Sequence, residues 1–116
     1  MEHKVVFNNC YGGFGLSMKA IDWLRSNCED KGLKRLIDEN LSKDHITLAY
    51  IVTDWFDRKR HHKDLVAVVE ALGHEASGMC SALDIEKIHC NQYRIEEYDG
   101  AEEVVTPEDS DWIIIE

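Results

Sequence analysis

Residues 5–17 read Val-Val-Phe-Asn-Asn-Cys-Tyr-Gly-Gly-Phe-Gly-Leu-Ser, and this stretch predicts the order strand, turn, helix at the start of the chain. Its apolar start predicts a strand over residues 4–8, and its glycines predict a turn at 11–15. Ser17 then suits the N-cap of a helix. Because glycines allow close backbone approach and a helix N-terminus favours negative charge, the turn is a candidate cradle for an anion. Its glycine order matches neither the phosphate-binding loop nor the dinucleotide fingerprint.

Helical spacing of apolar residues downstream of this turn predicts three helices. They are expected at about 17–28, at about 33–41 after a break at Gly32, and from Asp64 to a stop at Gly78. Between the second and third helix, the apolar run Ile46–Phe56 is rich in β-branched and aromatic residues. That composition favours a strand at 47–53, although a helix is also compatible with so short a run.

The last third of the chain has the pattern of β-structure. Strands are predicted at Leu83–His89, Tyr93–Tyr98 and Ala101–Val105. Asn91-Gln92 is short enough for a hairpin turn between the first two, and Asp99-Gly100 is a strong type I′ turn signal between the last two. Pro107 is expected to end the pairing.

These elements predict one α+β domain over residues 1–116, with about three helices packed on a mixed sheet that ends in an antiparallel β-meander. The apolar run Trp112–Ile115 needs cover, and it is expected to add an edge strand to its own sheet or to a second subunit. A homodimer is therefore predicted.

Composition limits the possible protein classes. A chain of 116 residues with 44% hydrophobic residues is long enough for one core. It has no apolar run of about 18 residues and no apolar segment like that of a signal peptide near the N-terminus, so a soluble cytoplasmic protein is expected, with no membrane partner. The four cysteines form no Cys-x-x-Cys pair and are predicted to be reduced thiols, although Cys80, His89 and Cys90 are able in principle to meet in space. No metal or cofactor is predicted.

Charge is distributed unevenly along the chain. The acidic C-terminal segment, residues 95–116, has nine acidic residues and no Lys or Arg, and it carries nearly all of the net charge of −10. Such a segment repels nucleic acid, so direct nucleic-acid binding is not expected. It is able to attract a basic protein surface, or it serves only as a solvated, solubilising face.

Three blocks of the sequence carry a family resemblance. Residues 10–17 read CYGGFGLS, residues 64–73 read DLVxVVExLG and residues 93–100 read YxIEEYDG. Together they resemble a family of small uncharacterised proteins of bacteriophages and prophages, over about half of the chain. Residues 29–45 look like an insertion, and the acidic end departs from the more basic end of that family. The resemblance implies an accessory protein in a bacterial host cell, of a class in which binders of host or defence components are common; it implies no catalytic residue.

A basic run, residues 58–63, precedes the third predicted helix and contains Arg58 and Arg60. Their guanidinium groups are suited to grip a phosphate or carboxylate if the run folds back over the glycine turn. The run is also compatible with a solvated loop, or with an intramolecular partner for the acidic C-terminal segment. The candidate ligand-binding residues are Tyr11, Gly12, Gly13, Phe14, Gly15, Ser17, Arg58 and Arg60.

An enzymatic function is the least favoured of three hypotheses. Cys10 is the attractive nucleophile, but its base would have to be one of four histidines, His61, His62, His74 or His89, and the spacing selects none. The favoured hypothesis is a non-enzymatic protein of phage type, with counter-defence as one role, that sequesters a small anionic, nucleotide-like ligand at the glycine turn. The alternative is an acidic inhibitor of a nucleic-acid-binding host or defence protein, which imitates nucleic acid through Glu96, Glu97, Asp99, Glu102 and Glu103.

Overall fold

In the computed structural model, which describes residues 2–107, four helices and two small antiparallel sheets form one α+β domain. A single 3₁₀ turn, Gly73–Ala76, follows the last helix. In chain order the elements are β1 (His3–Asn8), α1 (Met18–Asn27), α2 (Lys31–Glu39), α3 (His45–Phe56), α4 (Lys63–Leu72), β2 (Leu83–Ile88), β3 (Arg94–Tyr98) and β4 (Ala101–Val105).

The β1–β2 sheet lies between the helices and the β3–β4 hairpin. Val6 and its β2 neighbours pack with the buried faces of all four helices, which form the main core. On the opposite face, Val5 and Ile88 pack with Val104 of β4 in a smaller cluster. Val5 and Val6 are both fully buried, as a strand with apolar neighbours on both faces requires.

The α+β class is confirmed, as are several local predictions. Ser17 is the N-cap of α1, and its hydroxyl accepts a hydrogen bond from the Ala20 N–H at 3.1 Å. Asp99 and Gly100 have φ angles of 51° and 88°, which are those of the predicted type I′ turn between β3 and β4. β4 ends two residues before Pro107. The predicted strand at Trp112–Ile115 lies outside the described residues.

The predicted strand at 47–53 is wrong, because this segment is the middle of α3. Asp44 caps the helix by accepting a hydrogen bond from the Thr47 N–H at 2.8 Å. Leu48, Val52 and Phe56, four residues apart, are the buried residues of α3. The helix thus buries one apolar stripe against the core, and its other apolar side chains remain partly or fully exposed.

The predicted meander on a mixed sheet is also wrong in its pairing. β2 pairs with β1, in a register from His3 opposite Ile88 to Asn8 opposite Leu83. Asn91-Gln92 is therefore not a hairpin turn, and both sheets in the described part of the chain are antiparallel pairs.

Two predicted helix ends need correction. Gly73, with φ of 58°, follows the last residue of α4, whereas Gly78 packs against the Gly15 backbone and donates its N–H to the Gly15 carbonyl at 2.9 Å. Gly32 lies in the first turn of α2, where its N–H bonds the Asp30 side chain at 2.8 Å. Gly32 does not break this helix, because Asp30, two residues earlier, caps its N-terminus.

Candidate functional site

The glycine turn between β1 and α1 is packed against the protein's own backbone. A side chain at Gly12 would overlap the Cys80 carbonyl. A Cβ at Gly100, in the turn of the β3–β4 hairpin, would lie 2.5 Å from the Gly12 nitrogen and 2.7 Å from the Gly13 nitrogen. These close approaches account for glycine at Gly12 and Gly100 without a ligand.

Asn8, at the end of β1, joins the segments that meet around this turn. Its side-chain amide donates to the carbonyls of Cys10 and Gly100, each at 2.8 Å, and its Oδ1 accepts from the Ala82 N–H at 2.8 Å. The residue is fully buried. The sequence prediction did not include Asn8, although a polar residue at the end of an apolar strand is a recognisable signal for such a role.

Arg60 lies beneath the hairpin and is 2% exposed. Its Nη1 and Nη2 atoms form a two-pronged ion pair with the Glu102 carboxylate at 2.7 and 2.8 Å. Nη2 also bonds Asp57 Oδ1 at 2.8 Å, Nε bonds the Asp57 carbonyl at 3.2 Å, and Nη1 bonds the Val6 carbonyl at 3.4 Å. All five donors of the guanidinium are therefore occupied within the protein.

The surroundings of Arg60 favour its charged form. Burial alone lowers the pKa of the guanidinium, but the hydrogen bonds and charges of Glu102 and Asp57 outweigh burial, so that the pKa is raised. The Phe14 ring lies 3.6 Å from Arg60 Cζ and adds a cation–π contact. Arg60 is thus held between a carboxylate and an aromatic face, and a ligand phosphate would have to displace one of these partners.

Arg60 and Glu102 also occupy the outer edge of β1. The Val6 N–H donates to the Arg60 carbonyl at 2.8 Å, and the Asn8 N–H donates to Glu102 Oε1 at 2.8 Å. These are the backbone positions of β1 that face away from β2, so the pair replaces a neighbouring strand. The link between the basic run and the acidic C-terminal segment, one of the alternatives for the run, is confirmed for Arg60.

Two clefts adjoin this ion pair. The acidic cleft has a volume of about 280 Å³, and its wall includes four carboxylates and one guanidinium. It is lined by Gly13, Phe14, Tyr50, Thr53, Asp54, Asp57, Arg60, Glu97 and Glu102. The mixed-charge cleft, of about 500 Å³, is lined by Asp57, Arg58, Arg60, His61, Tyr93, Arg94, Ile95, Glu97 and Glu102.

The predicted ligand-binding residues are only partly brought together. Gly13, Phe14 and Arg60 line the acidic cleft, whereas Arg58 lines the mixed-charge cleft. The Ser17 hydroxyl is engaged by the Ala20 N–H and the Glu75 carbonyl. The other predicted residues do not line either cleft: Tyr11, Gly12 and Gly15.

The β3–β4 hairpin carries five acidic side chains, the hairpin acids, which are Glu96, Glu97, Asp99, Glu102 and Glu103. The strand register places Glu96 opposite Glu103 and Glu97 opposite Glu102. Like charges in such positions repel one another. Glu102 is neutralised by Arg60, and Arg94 contacts Glu96 Oε1 at 2.7 Å. Within residues 2–107, Glu97, Asp99 and Glu103 form no ion pair.

Cys10 does not form a catalytic pair with a histidine in the described part of the chain. Its thiol lies 3.5 Å from Asn8 Oδ1 and 3.4 Å from the Cys80 carbonyl, neither of which acts as a general base. His61 Nδ1 instead contacts the Tyr93 hydroxyl at 2.7 Å, and His62 Nε2 contacts Asp30 Oδ2 at 2.9 Å. The hypothesis of a cysteine-dependent enzyme gains no support from these contacts.

A further polar cluster joins α2 to α4 and was not predicted. The buried Asp64 carboxylate accepts the backbone N–H groups of Glu29 and Asp30, each at 2.9 Å. The hydrogen bond from His62 is the main reason that the pKa of Asp30 is lowered. His62 Nδ1 accepts the Asp64 N–H at 3.0 Å and so caps α4. These contacts fix the N-terminal ends of α2 and α4.

Within residues 2–107, the structure has neither a cluster of metal-ligating side chains nor a helix able to span a membrane. No group of three or more His, Cys, Asp or Glu side chains there has the geometry of a metal site. None of the helices in this range combines the length and apolarity needed to cross a membrane. Comparison of the chain with protein-family models, curated proteins and solved structures gives no match. The resemblance to phage and prophage proteins therefore stays a prediction from the three sequence blocks.

Proposed function

We propose that the protein is a non-enzymatic binding protein that captures a basic protein partner on the acidic β3–β4 hairpin. The observation that carries the proposal is the unbalanced charge of the hairpin acids. Glu97, Asp99 and Glu103 are exposed and form no ion pair within residues 2–107, and Glu97 lines a cleft that also contains Asp54 and Asp57. Carboxylates held close together gain most from a partner that supplies Lys or Arg.

The same charges argue against capture of an anion at the glycine turn. Among the described residues, Arg60 is the one cation that lines the acidic cleft, and its five donors are already bonded. An anion there would meet four carboxylates and a single neutralised guanidinium. Arg58 lines only the neighbouring cleft, where acidic side chains balance the arginines. A basic group is the better electrostatic match for the acidic cleft.

Exposed tyrosines near the hairpin support an interaction with a protein. Tyr50 lines the acidic cleft and is 70% exposed, and Tyr98, next to the hairpin turn, is 78% exposed. Tyr11 precedes the glycines against which that turn packs and is 72% exposed. Tyrosine is enriched at protein interfaces, and its ring attracts cationic side chains.

The phage resemblance suggests which basic protein to look for. In a bacterial host cell, a nucleic-acid-binding protein presents a basic surface that an acidic accessory protein is able to occupy in place of phosphates. Inhibition of such a host or defence protein is the form of this proposal that agrees with both the charge and the resemblance. The match to the family carries no site residue and adds only this context.

The test is affinity capture from the producing cells with two variants of equal net charge. The hairpin variant is Glu96→Gln/Glu97→Gln/Glu103→Gln, and the control variant is Asp22→Asn/Glu39→Gln/Glu86→Gln, which removes exposed acids elsewhere. We expect the wild type and the control to retain the same basic protein at low salt and the hairpin variant to lose it. Raising the salt should weaken the complex steeply.

Two results would contradict the proposal. Equal capture by both variants would show that the hairpin acids are not the binding surface. A retained partner that is not basic, or a complex insensitive to salt, would exclude charge complementarity as its basis.

A further inference from the structure

Within the described residues, the two small sheets have four outer strand edges, and three of them are covered along at least part of their length. The outer edge of β1 is occupied by Arg60 and Glu102. On the outer edge of β2, the Leu83 N–H bonds Ser77 Oγ at 2.9 Å and the Ile85 N–H bonds Asp84 Oδ1 at 2.8 Å. β4 lies beside β1, with Val104 buried in the smaller core cluster. Such cover is how proteins prevent unwanted strand pairing.

The outward backbone groups of β3 have no hydrogen-bond partner within residues 2–107. In a two-residue hairpin the residues that flank the turn form a hydrogen-bonded pair, here Tyr98 and Ala101, and the pairs alternate from there. Ile95 and Glu97 therefore direct their N–H and C=O groups away from β4. Within residues 2–107, no donor or acceptor contacts these four groups. β3 thus offers two donors and two acceptors in the spacing of a strand ladder.

We infer that the outer edge of β3 is a docking site for an extended basic segment of the partner protein, which adds a strand to the hairpin. This inference rests on the proposed function and specifies how the partner is bound. Four backbone hydrogen bonds would provide affinity, and the side chains that flank them would provide specificity.

The charge of β3 selects a basic segment. In the antiparallel register that satisfies Ile95 and Glu97, the partner residue directly opposite Glu96 lies at the shortest cross-strand distance. Both Arg94 hydrogen bonds reach Glu96 Oε1, so Oε2 has no partner within the described residues. A Lys or Arg at the opposite position would bond this oxygen. On the other face, a basic residue opposite Glu97 would enter the mixed-charge cleft of about 500 Å³.

A second copy of the chain fits this edge poorly. Antiparallel pairing of β3 with itself in the same register places Glu96 of one copy directly against Glu96 of the other. Like charges in such a pair are destabilising. The edge therefore discriminates against self-pairing and favours a partner of opposite charge.

The experiment uses full-length protein and a capped nonapeptide, Lys-Val-Lys-Thr-Lys-Thr-Lys-Val-Lys. A comparison peptide has the same sequence and charge, but its five central amides are N-methylated and cannot donate. Affinity is measured by fluorescence polarisation, and exchange of individual amides is measured by NMR. We expect N-methylation to weaken binding about tenfold or more. The unmodified peptide should slow exchange of the Ile95 and Glu97 amides about tenfold, with little change at Glu96 and Tyr98, which are already bonded in the hairpin.

Each other outcome overturns the inference in a recognisable way. Equal affinity of the two peptides, with binding still lost in the hairpin variant, would mean that the hairpin acids bind the peptide but that no strand is added to β3. Equal affinity that the hairpin variant does not reduce would contradict the proposed function as well. No binding of either peptide at millimolar concentration would exclude an extended basic segment. Slow exchange at Ile95 and Glu97 in the free protein would mean that the edge is already occupied, by a second copy if it depends on concentration and by the same chain if it does not.

Discussion

At the scale of single residues, Arg60 shows how a functional signal in the sequence is used for structure. A cluster of arginines near a glycine turn is typical of anion binding, yet Arg60 bonds Glu102, Asp57 and the backbone of β1. The side chain joins the hairpin to the β1–β2 sheet. Its partner Glu102 is 42 residues away, so local sequence patterns do not show that the two side chains form an ion pair.

Replacement of Arg60 tests this structural role. Arg60→Ala should lower the free energy of unfolding by about 3–5 kcal/mol, because the Glu102 carboxylate, whose side chain is 5% exposed, loses its buried counter-charge. Arg58→Ala, at an exposed neighbouring arginine, should change it by less than about 0.5 kcal/mol. Urea denaturation measures both. If the double variant Arg60→Ala/Glu102→Ala lost the sum of the two single losses, the pair would not be coupled.

Comparison of Gly100→Ala with Gly73→Ala distinguishes the cost of a positive φ angle from the cost of a steric clash. Both glycines have positive φ angles, 88° and 58°, so an alanine at either position pays a conformational cost of about 1–2 kcal/mol. A Cβ at Gly73 meets nothing within 4 Å, whereas one at Gly100 meets the Gly12 and Gly13 nitrogens. Gly100→Ala should therefore cost at least about 1 kcal/mol more than Gly73→Ala in urea denaturation. Equal losses would show that the hairpin turn does not rest on the glycine turn.

At the scale of elements, local signals predicted local structure. The β-branched run of β1, the Ser17 cap of α1 and the Asp99-Gly100 turn each act within a few residues, and each prediction agrees with the structure. In α3, residue composition favoured a strand, and the signal that would have corrected it was the cap formed by Asp44 with Thr47. Tertiary packing of an apolar stripe overrides β-propensity in such a segment.

Strand pairing and the candidate site were less predictable because both depend on distant contacts. β2 has a suitable neighbour in β3 a few residues away, but it pairs with β1 about 80 residues earlier. Four of the hairpin acids are exposed, but the side chain of the fifth, Glu102, is buried against Arg60, a distant partner that the sequence does not indicate. The open edge of β3 was not predicted, because it depends on which of the other edges are covered by Arg60, Glu102, Ser77 and Asp84.

The polar contacts between α2 and α4 should make the free energy of unfolding depend on pH in the acidic range. The hydrogen bond from His62, supported by two backbone N–H groups, lowers the pKa of Asp30 below that of an unfolded aspartate, so its ionised form stabilises the folded state. This stabilisation is present above about pH 4, the ordinary aspartate range, and is lost as the pH falls through the lower folded value. Asp30→Asn should cost about 1 kcal/mol at pH 7 and progressively less toward pH 2, measured by urea denaturation.

His62→Gln is the matched control for Asp30, because it removes the main cause of the lowered pKa and keeps the carboxylate. In this background, the loss of stability caused by Asp30→Asn should vary less with pH. A cost of Asp30→Asn that stayed constant from pH 7 to pH 2 in the otherwise unchanged protein would mean that the charge of Asp30 does not stabilise the fold.

At the scale of the whole molecule, charge is concentrated at one end of the sequence and, within the described residues, on one hairpin. The main core is built from the helices and the β1–β2 sheet, while the hairpin is attached through a small cluster and the Arg60–Glu102 pair. Under the proposed function, stability and recognition therefore depend on different parts of the fold. Most of the charged side chains on the hairpin are therefore free to contact a partner, since they are not needed to stabilise the main core.

The concentration of acidic side chains on the hairpin predicts that charge repulsion keeps the outer edge of β3 from pairing with a second copy. Repulsion between the hairpin acids opposes self-pairing, and the edge has no backbone cover within residues 2–107. The variant Glu96→Gln/Glu97→Gln/Glu103→Gln should therefore self-associate at a concentration about tenfold lower than the wild type in sedimentation velocity. The variant Asp22→Asn/Glu39→Gln/Glu86→Gln changes the net charge equally and should behave as the wild type, because general repulsion falls by the same amount in both. If the two variants sedimented alike, charge on the hairpin would not be what keeps this edge available for a basic partner.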